Sequence, residues 1–180
     1  MMKLRVIPVT LLMMLAMNGA MAQYLADNSN RNAVDELYQA GERAYRSGDH
    51  ATAISIFDKV IEQEPDHLNA HLQRGFCQGL IGAYDKAVGD FTVVIDQKND
   101  HTWAYTSRGS AYNKLGKHEL AIADFNKVLA LDPKNEEAYN NRGWARKATG
   151  DRDGACKDWN TSKRMGNAEA KIILTNNRCK

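Results

Sequence analysis

The sequence predicts an all-α protein, an α-solenoid of four helix–turn–helix repeats closed by a carboxy-terminal capping helix. Two observations carry that prediction. The first is a repeated phrase: RGFCQGLIGAYDKAVGDF (74–91), RGSAYNKLGKHELAIADF (108–125) and RGWARKATGDRDGACKDW (142–159) stand 34 residues apart. The second is that single columns keep this step through four copies. Gly48, Gly82, Gly116 and Gly150 form one column, and Gly41, Gly75, Gly109 and Gly143 another. Ala53, Ala87, Ala121 and Ala155 make a third, and Phe57, Phe91, Phe125 and Trp159 a fourth. A fixed period of this length marks stacked supersecondary units rather than one globular core.

The elements follow in order. Residues 1–22 are expected to be a secretory signal peptide: Lys3 and Arg5 precede an apolar run from residue 6 to residue 17, then Ala20-Met21-Ala22 offers a cleavage site. The run is short of the about 20 apolar residues that span a bilayer and contains Pro8. No cysteine follows the cleavage point, which argues against a lipid anchor. The expected product is exported, periplasmic or secreted, with no membrane insertion once the signal is removed. Residues 23–33, which include DNSNRN, are expected as a flexible lead-in.

The copies then run over 34–67, 68–101, 102–135 and 136–166. In the third, the pattern predicts one helix over 103–114, a break at Gly116 and a second helix over 118–131, closed by Asp132-Pro133. Gly116 and its counterparts follow the last helical residue, where a left-handed backbone is cheap only for glycine. Gly109 and Ala121 let the two helices approach, and Phe125 fills the wedge beside them. Residues 167–180 supply the cap that a terminal repeat needs: Asn167 can start a helix, and Ile172, Ile173 and Leu174 give it an apolar face.

Charge excludes one class of partner. The chain has 24 Lys+Arg and 22 Asp+Glu. The leader holds two of the bases and no acid, so the remainder is 22 against 22 and lacks the positive surplus of a nucleic-acid binder. The distribution is uneven. Residues 34–67 carry eight acids and three bases, and residues 136–180 six acids and ten bases.

The 34-residue helix–turn–helix, with its small, small and aromatic columns and its closing Asp-Pro, resembles the tetratricopeptide repeat over about 34–165. LAIADFNKVLALDPKNEEAYNNRG is the densest stretch of that resemblance. Asn99 stands where the second copy would carry proline, the fourth copy ends at Met165-Gly166, and Ala40-Gly41 replaces Arg-Gly in the first. The resemblance implies a right-handed solenoid in which the first helices line a concave face that holds peptides or helices of other proteins. The ending GACKDW…GNAEA…C is similar to exported envelope proteins of Gram-negative bacteria.

Mapped onto that concave face, the partner-binding candidates are Tyr38 and Tyr45, then Leu72 and Phe76, then Trp103, Asn113 and Lys114, then Asn140, Trp144 and Lys147. Glu42, Leu80, Thr106 and Ser110 share the same slots. The family's clamp for acidic chaperone tails wants a lysine and an asparagine early on this face. Tyr38 with Glu42, Leu72 with Phe76, and Thr106 with Ser110 stand there instead, which argues against chaperone tails as ligands.

Other constellations read as structure. Arg74, Arg108 and Arg142 recur with Asp90, Asp124 and Asp158 and suit bidentate pairs. Pairing within a copy satisfies all of them, although pairing between copies stays open. Export implies an oxidising compartment, so Cys156 and Cys179 can staple the cap, but the sequence holds no geometry to decide it. Cys77 reads as a small buried residue. His67 and His71 stand four apart without a further ligand nearby, so no metal is expected. Asn160-Thr161-Ser162 matches a glycosylation acceptor inside a predicted helix and is discounted. No nucleophile, phosphate-loop or metalloprotease motif occurs, and neither enzyme activity nor a cofactor is expected. The sequence therefore points to a protein–protein adaptor or scaffold in the bacterial cell envelope. The alternative is self-association through the acidic first copy and the basic end.

Overall fold

A computed structural model describes residues 9–179 of the chain. The basic start of the expected signal peptide, with Lys3, Arg5 and Pro8, lies outside the described residues. Nine helices follow one another among the described residues: α1 (Val9–Arg46), α2 (His50–Gln63), α3 (Leu68–Leu80), α4 (Tyr84–Gln97), α5 (Thr102–Lys114), α6 (His118–Leu131), α7 (Glu136–Ala148), α8 (Arg152–Arg164) and α9 (Ala168–Asn176). Each packs on the next, and α1, α3, α5 and α7 also touch in series, so the first helices form one layer of an α-solenoid.

Local chemistry sets the boundaries. His67, His101 and Asn135 occupy one column, and each side chain accepts a hydrogen bond from the backbone N–H three residues on. Such a cap satisfies a donor that a helix start leaves free. The same column holds Ala33 in the first copy, and alanine cannot cap. This accounts for a difference from expectation: residues 23–33 are helical, continuous with α1. No glycine or proline intervenes from residue 20 to residue 40, and extending an anchored helix needs no new nucleus. Met21, Tyr24 and Leu25 on this extension are exposed. Among the described residues no helix is long and apolar enough to cross a membrane.

Glycines end the first helix of every copy in the left-handed region, with φ of +82° at Gly48, +81° at Gly82, +73° at Gly116 and +89° at Gly150. The other glycine column closes the helix pair. A Cβ at Gly75 would lie 2.8 Å from the Phe91 ring, and one at Gly109 3.0 Å from Phe125. Phe57, Phe125 and Trp159 are fully buried beneath their own copies. The core is thus a chain of clusters: one around Phe57 and Val60, one around Phe125 and Val128, and one around Trp159, Ile173 and Leu174. Cys77 shares a column with Ala111 and Ala145 and is equally buried. Burial pushes its thiol up to about 11, so it rests as a small apolar group.

The arginine column does more than pair within a copy. Arg74, Arg108 and Arg142 each grip the aspartate of their own second helix with Nε and Nη2, at 2.6–2.9 Å. Each turns Nη1 toward the preceding copy, donating to Asp58 at 2.6 Å, Thr92 at 3.1 Å and Asn126 at 2.6 Å. One guanidinium fork therefore joins three helices from two copies, which a point-charge lysine could not do.

At the cap, Asn167 accepts from the Ala170 N–H, Ile173 and Leu174 are buried against α8, and a disulfide joins Cys156 to Cys179. Ser162 sits in the column that Val60, Val94 and Val128 fill. Buried there, it donates its hydroxyl to the Glu136 carbonyl at 2.7 Å.

Candidate functional site: an apolar pocket on the first-helix face

The first-helix face holds a pocket of about 370 Å³ between the second and third copies. Its walls are Tyr45 from α1, Phe76 and Leu80 from α3, Tyr84 from α4 and Trp103 from α5, with Lys114 at its edge. The sequence opens it in two ways. Gly79 lies in the column that elsewhere supplies Tyr45, Asn113 and Lys147, and nothing stands within 4 Å of where its Cβ would be. Gly75 lets the Phe91 ring come up as a floor. Phe76 packs against Phe91 with centroids 5.5 Å apart and the rings tilted by 58°.

Leu80 is 60% exposed and Trp103 67% exposed, although both belong to regular helices. A large indole held in water on a rigid helix costs solvation free energy that folding does not recover. Trp103 also borders a second hollow. On its other side lies a pocket of about 260 Å³ whose lining includes Asp132 and Glu137. Thr106 and Glu137 line both hollows, so a carboxylate also borders the apolar pocket.

Not every candidate reaches this pocket. Tyr45, Phe76, Trp103 and Lys114 converge on it. Tyr38 donates to Glu42 at 3.3 Å and packs on Phe57 and His67. Burial first, and the Glu42 carboxylate second, push its phenol up from the ordinary value. Leu72 packs against the central core cluster. Asn113 donates to the Asn141 carbonyl at 3.2 Å, tying α5 to α7. Asn140 is buried, and its carbonyl accepts from the Trp159 indole N–H at 3.2 Å. Trp144 is 41% exposed, packs edge-on to Trp159 and carries the Lys147 ammonium 5.2 Å above its ring, forming a second aromatic station further along.

Tyr84 escapes a reading restricted to first helices, because it opens a second helix. Leu80 shares the slots but owes its role to the missing side chain at Gly79. The out-of-column glycine in RGFCQGL was the available signal. His67 and His71 are committed elsewhere: His67 caps α3, and both ring nitrogens of His71 are bonded, to Asp90 at 2.8 Å and to the Pro65 carbonyl at 2.9 Å.

Comparison with known proteins agrees with this architecture. A family model described as tetratricopeptide repeat matches residues 38–101, and one described as TPR repeat matches residues 109–150. No curated protein matches the chain. Among solved structures, MamA 41-end from Desulfovibrio magneticus RS-1 is 25% identical, with 73% of this chain and 75% of that chain covered and a TM-score of 0.71. A crystal structure of MamA is 23% identical, covering 83% and 86%, with a TM-score of 0.72. The first TPR of Spaghetti (RPAP3), bound to the HSP90 peptide SRMEEVD, is 26% identical, covering 65% and 93%, with a TM-score of 0.62.

Proposed function

This chain is an array of tetratricopeptide repeats, and on that footing we propose that it is a non-enzymatic adaptor of the bacterial cell envelope that binds a peptide or helix of another protein in its concave groove. The observation that carries the reading is the pocket between Leu80 and Trp103: a rigid, exposed aromatic anchor beside an apolar hollow. Preformed hollows lower the ordering cost of capturing a flexible segment. Aromatic residues on such surfaces dominate binding energy.

The neighbour that holds SRMEEVD supports peptide capture as a mode this architecture allows. The groove here favours a different ligand. Tyr38 with Glu42, Leu72 with Phe76, and Thr106 with Ser110 stand where an acidic tail would need lysine and asparagine. An apolar anchor side chain, seated between Leu80, Tyr84 and Trp103, fits better. Export rests on the Lys3-Arg5, apolar-run and Ala20-Met21-Ala22 pattern of the leader.

Cross-linking in the native envelope, followed by affinity capture and mass spectrometry, tests the proposal. The comparison variant is Leu80→Ser with Trp103→Ala, chosen because both side chains are largely outside the core, so the variant should fold. Phe76 and Trp144 are unsuitable, since each packs on a buried ring. Partners that disappear with the double change support groove binding. Partners retained at wild-type level overturn it.

A further inference from the structure

His71 on α3 is buried, and each of its ring nitrogens meets an acceptor. Nδ1 stands 2.8 Å from Asp90 Oδ1, and Nε2 stands 2.9 Å from the Pro65 carbonyl. Neither partner has a proton to give. A backbone carbonyl only accepts. Both oxygens of Asp90 already accept from Arg74, Oδ1 from Nη2 at 2.6 Å and Oδ2 from Nε at 2.8 Å. A neutral imidazole has one N–H and one lone pair, whereas an imidazolium has two N–H groups. The arrangement is therefore that of the protonated ring. A neutral ring would set a lone pair against one of the two oxygens.

The other copies serve as controls. The column of His71 holds Tyr105 and Tyr139, whose rings lie against the Arg108 and Arg142 guanidinium groups at 5.6 and 5.4 Å. Asp158 of the fourth copy takes a second cation, Arg146, through Nη1 at 2.9 Å, and a guanidinium does not deprotonate in proteins. Asp90 has in that role a side chain of the type that titrates between about pH 5 and 8. The charged groups around the ring are accounted for. Asp90 and Lys86 of α4, Asp58 of α2 and Arg74 of its own helix line one furrow with His71. Asp58 is held by Arg74 at 2.6 Å, so Asp90 is the carboxylate that the ring itself meets. In the adjoining turn Asp66 accepts from the Gln97 amide at 3.5 Å. His67 spends Nδ1 on capping α3, with its ring beside Tyr38 of α1.

Pro65 lies in the turn between α2 and α3, where the chain passes from the first copy to the second. We propose that His71 is a proton-operated latch on this seam. Protonated, the ring fastens the turn to α3 and α4 at once. Once neutral, it keeps its proton on Nδ1, where the carboxylate makes the stronger bond, and Nε2 lets go of the Pro65 carbonyl. The first copy is then held on the second by the packing of α1 and α2 on α3 without that bond. Because the first copy supplies Tyr45 to the groove pocket, the latch braces the mounting of one pocket wall. It operates whatever the groove binds.

The test is NMR of the isotope-labelled protein from about pH 5 to 8, reading the ring nitrogens of His71 and the carbonyl carbon of Pro65. Two ring N–H groups are expected at the acid end. As pH rises the Nε2 proton should be lost, and the Pro65 carbonyl should shift with the same midpoint while the Pro133 carbonyl stays still. His71→Tyr, which installs the residue of the third and fourth copies, should remove the Pro65 step. His67→Asn, which keeps a capping side chain of the kind at Asn135, should leave it in place. Should His71→Tyr fail to fold, the shared midpoint and its survival in His67→Asn decide. A ring with one N–H throughout, a ring with two throughout, a Pro65 step that persists in His71→Tyr, or one that vanishes in His67→Asn would each overturn the latch.

Discussion

A methyl group at Gly143 would collide with the Trp159 indole, whose N–H is already aimed at the Asn140 carbonyl. At Gly116 the same methyl would meet nothing within 4 Å and would suffer only from a φ of +73°. The two glycine columns thus exist for separate reasons, close approach and left-handed backbone. Gly143→Ala should cost about 1–3 kcal/mol, as overpacking does, because a rigid indole locked by its hydrogen bond cannot slide away. Gly109→Ala, whose Cβ would only graze Phe125 at 3.0 Å, should cost less. Urea denaturation of the two variants beside wild type checks the order. A Gly143→Ala protein as stable as Gly109→Ala would show that Trp159 repacks freely.

At the scale of elements, the cap is a short helix with a narrow anchor. α9 spans Ala168–Asn176 and buries only Ala170, Ile173 and Leu174. The disulfide closes a loop across 23 positions, worth about 3 kcal/mol by loop-closure entropy. Cys179→Ser should therefore loosen α9 selectively, since in a quasi-one-dimensional array each unit leans only on its neighbours. Hydrogen exchange should rise several-fold in α9 and the end of α8 while α3 to α6 stay unchanged. A uniform rise across the chain would contradict that locality. Much of this scale was legible beforehand: α5 and α6 begin and end within one residue of where the Gly and Asp-Pro punctuation puts them. What escaped depended on side chains acting across copies. Period alone cannot reveal that the Arg74 Nη1 reaches back to Asp58, that Ala33 leaves α1 without a stop, or that Tyr84 leans into a pocket built by first helices. The departure from the period at Gly79 was informative, since it opens the pocket on the first-helix face.

At the scale of the whole molecule, charge and apolar surface are segregated, and this gives the two modes of association different responses to salt. Residues 34–67 are acidic, residues 136–180 basic, so a head-to-tail contact between copies would be electrostatic and exposed. Such contacts are screened beyond about 8 Å at physiological ionic strength, against about 30 Å at 0.01 M. A ligand seated between Leu80 and Trp103 is held instead by apolar burial, which salt does not weaken. Sedimentation velocity at low and physiological ionic strength separates the cases. Any self-association driven by the charged ends should be lost as salt rises and should survive Leu80→Ser with Trp103→Ala. Oligomers that persist in salt yet vanish with that double change would make the groove itself the contact between copies. The partner held by Trp103 would then be a second molecule of the same chain, and the adaptor reading would give way to self-assembly.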